Sequence, residues 1–343
     1  MLKPSALRRG DLVASVSLSW GGPSVFPHRY EAGKHQLEQT FGVKVVESRH
    51  ALADHEWLAS HPEARASDLM EVFADPSIKG IVSTIGGDDS IRILPFLDLT
   101  VIRENPKVFL GYSDTTVSHF ACLKAGVVSF YGPAVMAGFG ENGGLFPYMI
   151  SSIRRNFCST EPIGLIIPNA DGWTCERLDW AEPGLQNQPR RLNHCSGWHW
   201  LKGTGIRRGK LIGGCLEVID WLRGSPVWPN LSVWQESILF VEISEEAIPP
   251  IAVVRIFRSI AATGALEATR AILFGRPYGD EKTFAAYDDA LLQVCREFGL
   301  ESLPLVTRMD FGHTDPMFTI PYGVEAELNC DRRELRIIDS AVR

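Results

Sequence analysis

Short apolar runs alternate with longer stretches of helical period through the first half of the chain. Residues 12–18, 43–46, 80–85, 108–110 and 127–131 read as strands, with helical patterns at 28–41, 63–74, 90–96 and 115–124 between them. Strand and helix alternating at this spacing predict a parallel sheet covered on both faces. In such sheets ligands sit at the carboxyl ends of the strands.

The rhythm fades over residues 158–209, which are rich in Pro, Gly, Asn, Trp and Arg and read as irregular β structure and linker. Beyond them, 211–222 reads as a short helix opened by Gly213 and Gly214. Residues 238–241 and 271–274 read as strands, 251–263 and 287–298 as helices, and the chain from 303 onward as short strands with turns. There is no internal repeat and no low-complexity tract. The fold class expected is α/β. An N-terminal doubly wound parallel sheet occupies residues 1–165 and carries the candidate nucleophile. A smaller, mixed, β-rich unit occupies 166–343, with the boundary somewhere in 160–200.

Two segments bear on membranes. Lys3, Arg8 and Arg9 precede an apolar stretch, but Asp11 interrupts it and Gly21-Gly22-Pro23 ends it without a small-residue cleavage site. Between 125 and 153 the only charge is Glu141, yet glycines and prolines such as Gly132, Pro133 and Pro147 break the run too often for a spanning helix. It reads as buried strand and loop.

The 343 residues suffice for roughly two domains of about 150 residues. Hydrophobic residues make up 45% and charged residues 22%, as in ordinary globular chains rather than disordered ones. The formal charge is 34 − 41 = −7, and no basic run occurs, which argues against a nucleic-acid polymer or a membrane surface as partner. Seven scattered cysteines, with no CxxC pair, argue against zinc ribbons and dithiol redox sites and fit a reducing, cytoplasmic location. No metal or organic cofactor is expected.

Candidate chemistry concentrates where strands end. In Lys107-Val-Phe-Leu-Gly111-Tyr112-Ser113-Asp114-Thr115 a buried strand runs into a helix with a serine at the turn. This is close to the GxSxG elbow that lifts a nucleophilic hydroxyl above a sheet, beside a helix N-terminus. A Ser or Asp before a helix is also the commonest N-cap, so capping and nucleophile both stand at this point. A serine nucleophile needs a base, and the base an orienting acceptor. Among nine histidines, His313 lies in a tight loop, Gly312-His313-Thr314-Asp315-Pro316, whereas His119 falls within the helix after Ser113 and is expected to point away. Glu242 ends an apolar strand, while Glu245 and Glu246 look like a solvated loop. Ser113, Glu242 and His313 follow the chain order Ser…Asp/Glu…His of one large class of serine hydrolases. The turn Ile85-Gly86-Gly87-Asp88-Asp89 follows a strand and offers bare amides for an anion, without a Walker lysine. Gly138-Phe-Gly140-Glu-Asn-Gly143 matches GxGxxG only formally, since it opens no helix after a strand.

These stretches resemble the LD-carboxypeptidase family of serine peptidases, especially its microcin C immunity branch. The resemblance rests on Gly10-Asp11, Ile85-Gly86-Gly87-Asp88-Asp89, Gly111-Tyr112-Ser113-Asp114, Tyr131-Gly132-Pro133, Gly209 through Cys215, Glu242-Ile-Ser-Glu245-Glu246 and Gly312-His313-Thr-Asp315-Pro316, all in the family's order. It implies Ser113 as nucleophile, His313 as general base and acid, Glu242 as its partner, and the amides of Gly87 and Asp114 as an oxyanion hole. It also implies an amidotransferase-like N-terminal fold and a homodimer. The substrate implied is a small peptide or peptidyl-nucleotide. The murein branch, which removes a terminal D-alanine from a tetrapeptide, typically has Arg before the glycine pair and Tyr after it. Ile85 and Asp88 stand there instead and fit the branch that cleaves an aminoacyl-nucleotide amide.

Gly86, Asp88 and Trp180 are the substrate-binding candidates. Trp180, from the cluster Trp173, Trp180, Trp198 and Trp200, is the choice for stacking on a base, the alternative for all four being core packing. Arg190, Arg191, Arg207 and Arg208 are candidates for an anionic substrate group or, alternatively, a solvated face. Three rival readings stay open: a cysteine amidohydrolase, whose nearest thiol, Cys122, sits inside the following helix; a non-catalytic protein binding in the interdomain cleft; and an oxidoreductase lacking a credible dinucleotide fingerprint.

Overall fold

The computed structural model describes residues 1–343 and contains two sheets. The first is built from β1 (Leu12–Val16), β2 (Lys44–Glu47), β3 (Ile78–Ser83), β4 (Val108–Gly111) and β5 (Phe130–Tyr131). The second draws on β6 (Gly164–Ile166), β7 (His199–Lys202), β8 (Ile206–Cys215), β9 (Ser237–Glu242), β10 (Ile272–Gly275) and β11 (Leu305–Met309). The chain then returns to the first sheet with β12 (Ile320–Pro321) and finishes the second with β13 (Glu325–Asn329) and β14 (Glu334–Ile337).

The first sheet has the order β12-β5-β4-β3-β1-β2, parallel except for β12. Its parallel part reads 2-1-3-4-5, the flavodoxin-like winding. Helices Pro27–Phe41, Pro62–Ala74 and Thr116–Ala125 connect these strands and cover them. The second sheet has the order β6-β14-β13-β8-β9-β10-β11-β7. Its centre, β8-β9-β10-β11, is parallel, and its flanks are antiparallel. One contiguous apolar core runs through both sheets.

Two elements depart from the sequence reading. Residues 211–215 continue β8, and only Leu216–Leu222 is helical. The glycines there serve close packing: a methyl group on Gly213 would run into the Phe240 carbonyl of β9. A Gly-rich strand buried on both faces has no alternation to reveal it. The stretch read as strand and loop contains a helix, Pro147–Phe157, opened by a proline at its first turn. Residues 90–96, read as helical, form a 3-10 helix.

Candidate active site

Three parallel strands deliver their carboxyl ends to one cleft. β4 ends at Gly111, and the chain turns sharply so that Ser113 adopts φ 59°, a left-handed conformation rare outside glycine. A short 3-10 turn, Ser113–Thr115, leads into the helix Thr116–Ala125. The Asp114 carboxylate is fully buried and accepts from the amide and hydroxyl of Ser90, at 2.8 and 2.7 Å. Burial raises its pKa, against the pull of those hydrogen bonds. It ties the elbow to the end of the glycine loop.

That loop is braced from behind. Arg65, fully buried, donates to Asp89 Oδ1 and Oδ2 at 2.6 and 3.1 Å and to the carbonyls of Leu18 and Ser19. Gly87 has φ 148°, and a Cβ there would collide with the Ser19 hydroxyl and lie 2.9 Å from the Trp20 amide. A Cβ on Gly86 would lie 2.9 Å from the Ser113 Cβ. Glycine is what lets this backbone approach the serine.

β9 ends at Glu242, which is wholly buried. One carboxylate oxygen accepts from His313 Nδ1–H at 2.6 Å. The other takes a short hydrogen bond from the Tyr131 hydroxyl, which in turn accepts from the Ser113 amide at 3.1 Å. His313 follows β11 in a loop whose Gly312 has φ 100°; a Cβ there would overlap the Glu242 side chain. His313 Nε2 lies 3.0 Å from Ser113 Oγ. Ser113, His313 and Glu242, drawn from both sheets, thus form one hydrogen-bonded chain.

A second carboxylate reaches the ring. Glu245 Oε2 lies 3.1 Å from the same Nε2. Burial pulls the imidazole pKa down, but Glu242, then Glu245 and Glu217, outweigh it and push it up to about 9. The neighbouring carboxylates thus favour the protonated ring over the neutral one.

The cleft above this chain has a volume of about 380 Å³. It is bordered by Gly86, Gly87 and Asp88, by Trp20, Trp180 and Trp221, and by the segment Ser244–Glu246. A smaller cavity of about 130 Å³ adjoins it and shares Tyr112, Trp180 and His313. Trp180 is half-buried, with the Arg29 guanidinium 4.7 Å from its ring centre. Trp173 and Trp198 belong to the core: they are 3% and 8% exposed, and their ring N–H groups donate to the His194 carbonyl and Asp310. Trp200 lies on β7 at the edge of the second sheet. Three of the four candidate arginines are engaged by carboxylates. Arg190 is engaged by Glu141 and Asp315, Arg191 by Glu176 and Arg208 by Glu327, while Arg207 donates to the carbonyl of Ile206.

The other histidine near the elbow is structural. His119 Nε2–H donates to the Gly111 carbonyl and Nδ1 accepts from Ser129, each at 2.9 Å. Burial lowers its pKa to about 3, so it stays neutral. Cys122 is buried in its helix, and burial pushes its thiol up to about 12. No three His, Cys, Asp or Glu side chains converge as a metal-binding set, and no helix is long and apolar enough to cross a membrane.

Tyr131 was not expected as a hydrogen-bonding partner, and Glu245 was expected in a solvated loop. Tyr131 stood within a family-like Tyr-Gly-Pro stretch, the one signal available. Glu245 likewise stood within a family-like stretch, but its contact with His313 exists only in the tertiary fold.

The architecture matches known proteins across both sheets. Residues 13–132 match the LD-carboxypeptidase N-terminal domain, and residues 208–328 match the LD-carboxypeptidase C-terminal domain. The chain belongs to the LD-carboxypeptidase family of peptidases and is a hydrolase of that class. It is 28% identical to the microcin C7 self-immunity protein MccF of Escherichia coli over 98% of this chain and 96% of that one. The structure of MccF in complex with aspartyl sulfamoyl adenosine matches with a TM-score of 0.86 over the full length of both chains, at 27% identity. An MccF-like protein from Streptococcus pneumoniae, solved in complex with AMP, matches with a TM-score of 0.85 at 30% identity, covering 95% of this chain and 98% of that one. A Bacillus subtilis protein described as a probable murein peptide carboxypeptidase is 25% identical over 95% of this chain and 91% of its own length.

Proposed function

We propose that this protein is a serine amidase that cleaves the amide joining an aminoacyl group to a nucleotide-like leaving group, through an acyl ester on Ser113. The observation that carries this reading is the hydrogen-bonded chain Ser113–His313–Glu242 at the floor of the cleft. Ser113 Oγ attacks the carbonyl carbon while His313 Nε2, in its neutral form, takes the hydroxyl proton. The oxyanion that forms faces the amides of Gly87 and Asp114. The C–N bond then breaks as His313 gives that proton to the leaving nitrogen. Water repeats the sequence against the ester, releasing the carboxylic acid and restoring Ser113. Glu242 holds the ring in the tautomer that leaves Nε2 free and stabilises the imidazolium.

The nucleotide-like leaving group is supported by the ligands of the related structures, AMP and aspartyl sulfamoyl adenosine. Trp180 borders the cleft beside Arg29 and is the stacking surface this reading gives to the base. Gly86 and Asp88 flank the scissile bond. Because the reacting groups come from the two halves, 1–165 and 166–343, the halves must stay in register: about 1 Å of misplacement costs roughly a hundredfold in rate. The seven unpaired thiols and the family resemblance support a cytoplasmic homodimer.

Removal of D-alanine from a murein tetrapeptide is the second reading, favoured by the Bacillus subtilis relative. One paired assay separates them. Wild type, Ser113→Ala and His313→Ala are given a processed microcin C analogue and a murein tetrapeptide. The expected result is turnover of the analogue, reduced roughly a thousandfold or more in both variants. Equal rates for wild type and Ser113→Ala would sink the serine mechanism, and turnover of the tetrapeptide alone would sink the nucleotide reading.

A further inference from the structure

Charge in the larger cavity is one-sided. Asp88, Glu217, Glu245 and Glu246 line it, and Arg177 is the only lysine or arginine among its lining residues. The carboxylates come from the glycine loop, the Ser244–Glu246 segment and the first turn of Leu216–Leu222, on the walls around Ser113. The adjoining cavity is balanced, with Arg29, Arg177 and Arg190 against Glu176, Glu245 and Asp315. The negative field is therefore confined to one side of His313.

Several buried or half-buried carboxylates elsewhere carry an arginine partner, Asp89 with Arg65, Glu141 with Arg190, Asp310 with Arg276 and Asp288 with Arg308, whereas buried Asp114 is held by Ser90 without a cation. The four in the cleft have no lysine or arginine partner. Glu217 is half-buried and accepts only from Ser244 and the Cys215 thiol. Glu245 touches only His313. Their oxygens do not gather as a metal set would. Carboxylates without a lysine or arginine partner, only one of them facing His313, repel an anionic acyl side chain and leave a cationic one as the complementary occupant.

We propose that the acyl side of this cleft selects an aminoacyl group with a positively charged side chain, of the lysyl or arginyl kind, read by Glu245 and Glu246 with Glu217 and Asp88 behind them. The proposal rests on the aminoacyl-nucleotide reading and names its acyl component. A cation paired with Glu245 also draws that carboxylate away from His313 Nε2 and leaves the nitrogen to Ser113. The right substrate thereby removes one of the two carboxylate contacts that favour the protonated ring.

The test uses lysyl, alanyl and aspartyl sulfamoyl adenosine, which share an α-ammonium and differ only in the side chain. Binding to full-length Ser113→Ala is measured by calorimetry, and turnover by the wild type separately. The lysyl compound is expected to bind at least about tenfold more tightly than the aspartyl one, with the alanyl compound between. That gap should shrink to within about threefold when Glu245→Gln and Glu246→Gln are added, and Glu246→Lys should move the preference toward the aspartyl compound. Equal or tighter binding of the aspartyl compound, a gap that survives both glutamines, or no binding of any of the three overturns the proposal. Tight lysyl binding without turnover by the wild type would sink the amidase reading and leave the charge selection standing.

Discussion

Replacing Glu245 by glutamine removes one of the two carboxylates that reach the His313 ring and leaves the other, buried Glu242, in place. Unit charges 3.1 Å apart interact by about 5 kcal/mol at an effective dielectric near 20 and by about 1.3 kcal/mol in water. The Glu245 side chain is 50% exposed, so the watery end of that range applies, about 1 kcal/mol, or a little under one pH unit. The sign follows from which form the carboxylate favours. Glu245 stabilises the imidazolium, so its removal lowers the imidazole pKa from about 9. The attacking step needs neutral His313, so the acid limb of kcat/KM should move down by roughly one unit. Below it, Glu245→Gln should exceed the wild type several-fold. The assay is a pH–rate profile with alanyl sulfamoyl adenosine, which gives Glu245 no side-chain cation to bind. An acid limb that stays put or moves upward would refute the assignment of His313 as the base under Glu245's influence.

Two further substitutions probe the frame around the site. Tyr131→Phe strands a buried oxygen of Glu242 and the Ser113 amide. Stability should fall by about 1.5–3 kcal/mol in urea unfolding, with a drop in kcat; unchanged values for both would show the hydroxyl to be idle. Gly87→Ala forces a Cβ toward Ser19 and the Trp20 amide and displaces the backbone N–H proposed to face the oxyanion. The expected loss is about 10²–10³ in kcat with KM little changed, and a variant keeping full kcat would remove Gly87 from the oxyanion hole.

The alternation of apolar runs and helical periods made the first sheet legible almost strand by strand, because each βα unit carries its own local signal. The elbow at Ser113 was legible for the same reason, as a buried strand running directly into a helix. The second sheet was harder. β8 hides behind Gly209 and Gly213, whose missing side chains allow packing against β9, and Gly214, which makes room for Thr116 and Tyr322; together they remove the pattern a strand normally shows. The helix Pro147–Phe157 follows a glycine-rich stretch that reads as loop. Chain order pointed to Ser113, Glu242 and His313, but their proximity lies beyond local reading: His313 is 71 positions from Glu242 and 200 from Ser113. Trp173 and Trp198, offered with Trp180 as stacking candidates, show the limit from the other side. A tryptophan in an irregular stretch looks the same in sequence whether its N–H ends in the core or its ring borders a cleft.

The central claim, that the Ser113 hydroxyl is the group acylated during turnover, is tested most directly by acid-quenching the wild-type protein with lysyl sulfamoyl adenosine and mapping the adduct by mass spectrometry. The account predicts a single lysyl ester on Ser113, absent from Ser113→Ala and from His313→Ala. An acyl group on another residue, such as the cleft thiol Cys215, or full turnover by Ser113→Ala, would contradict it.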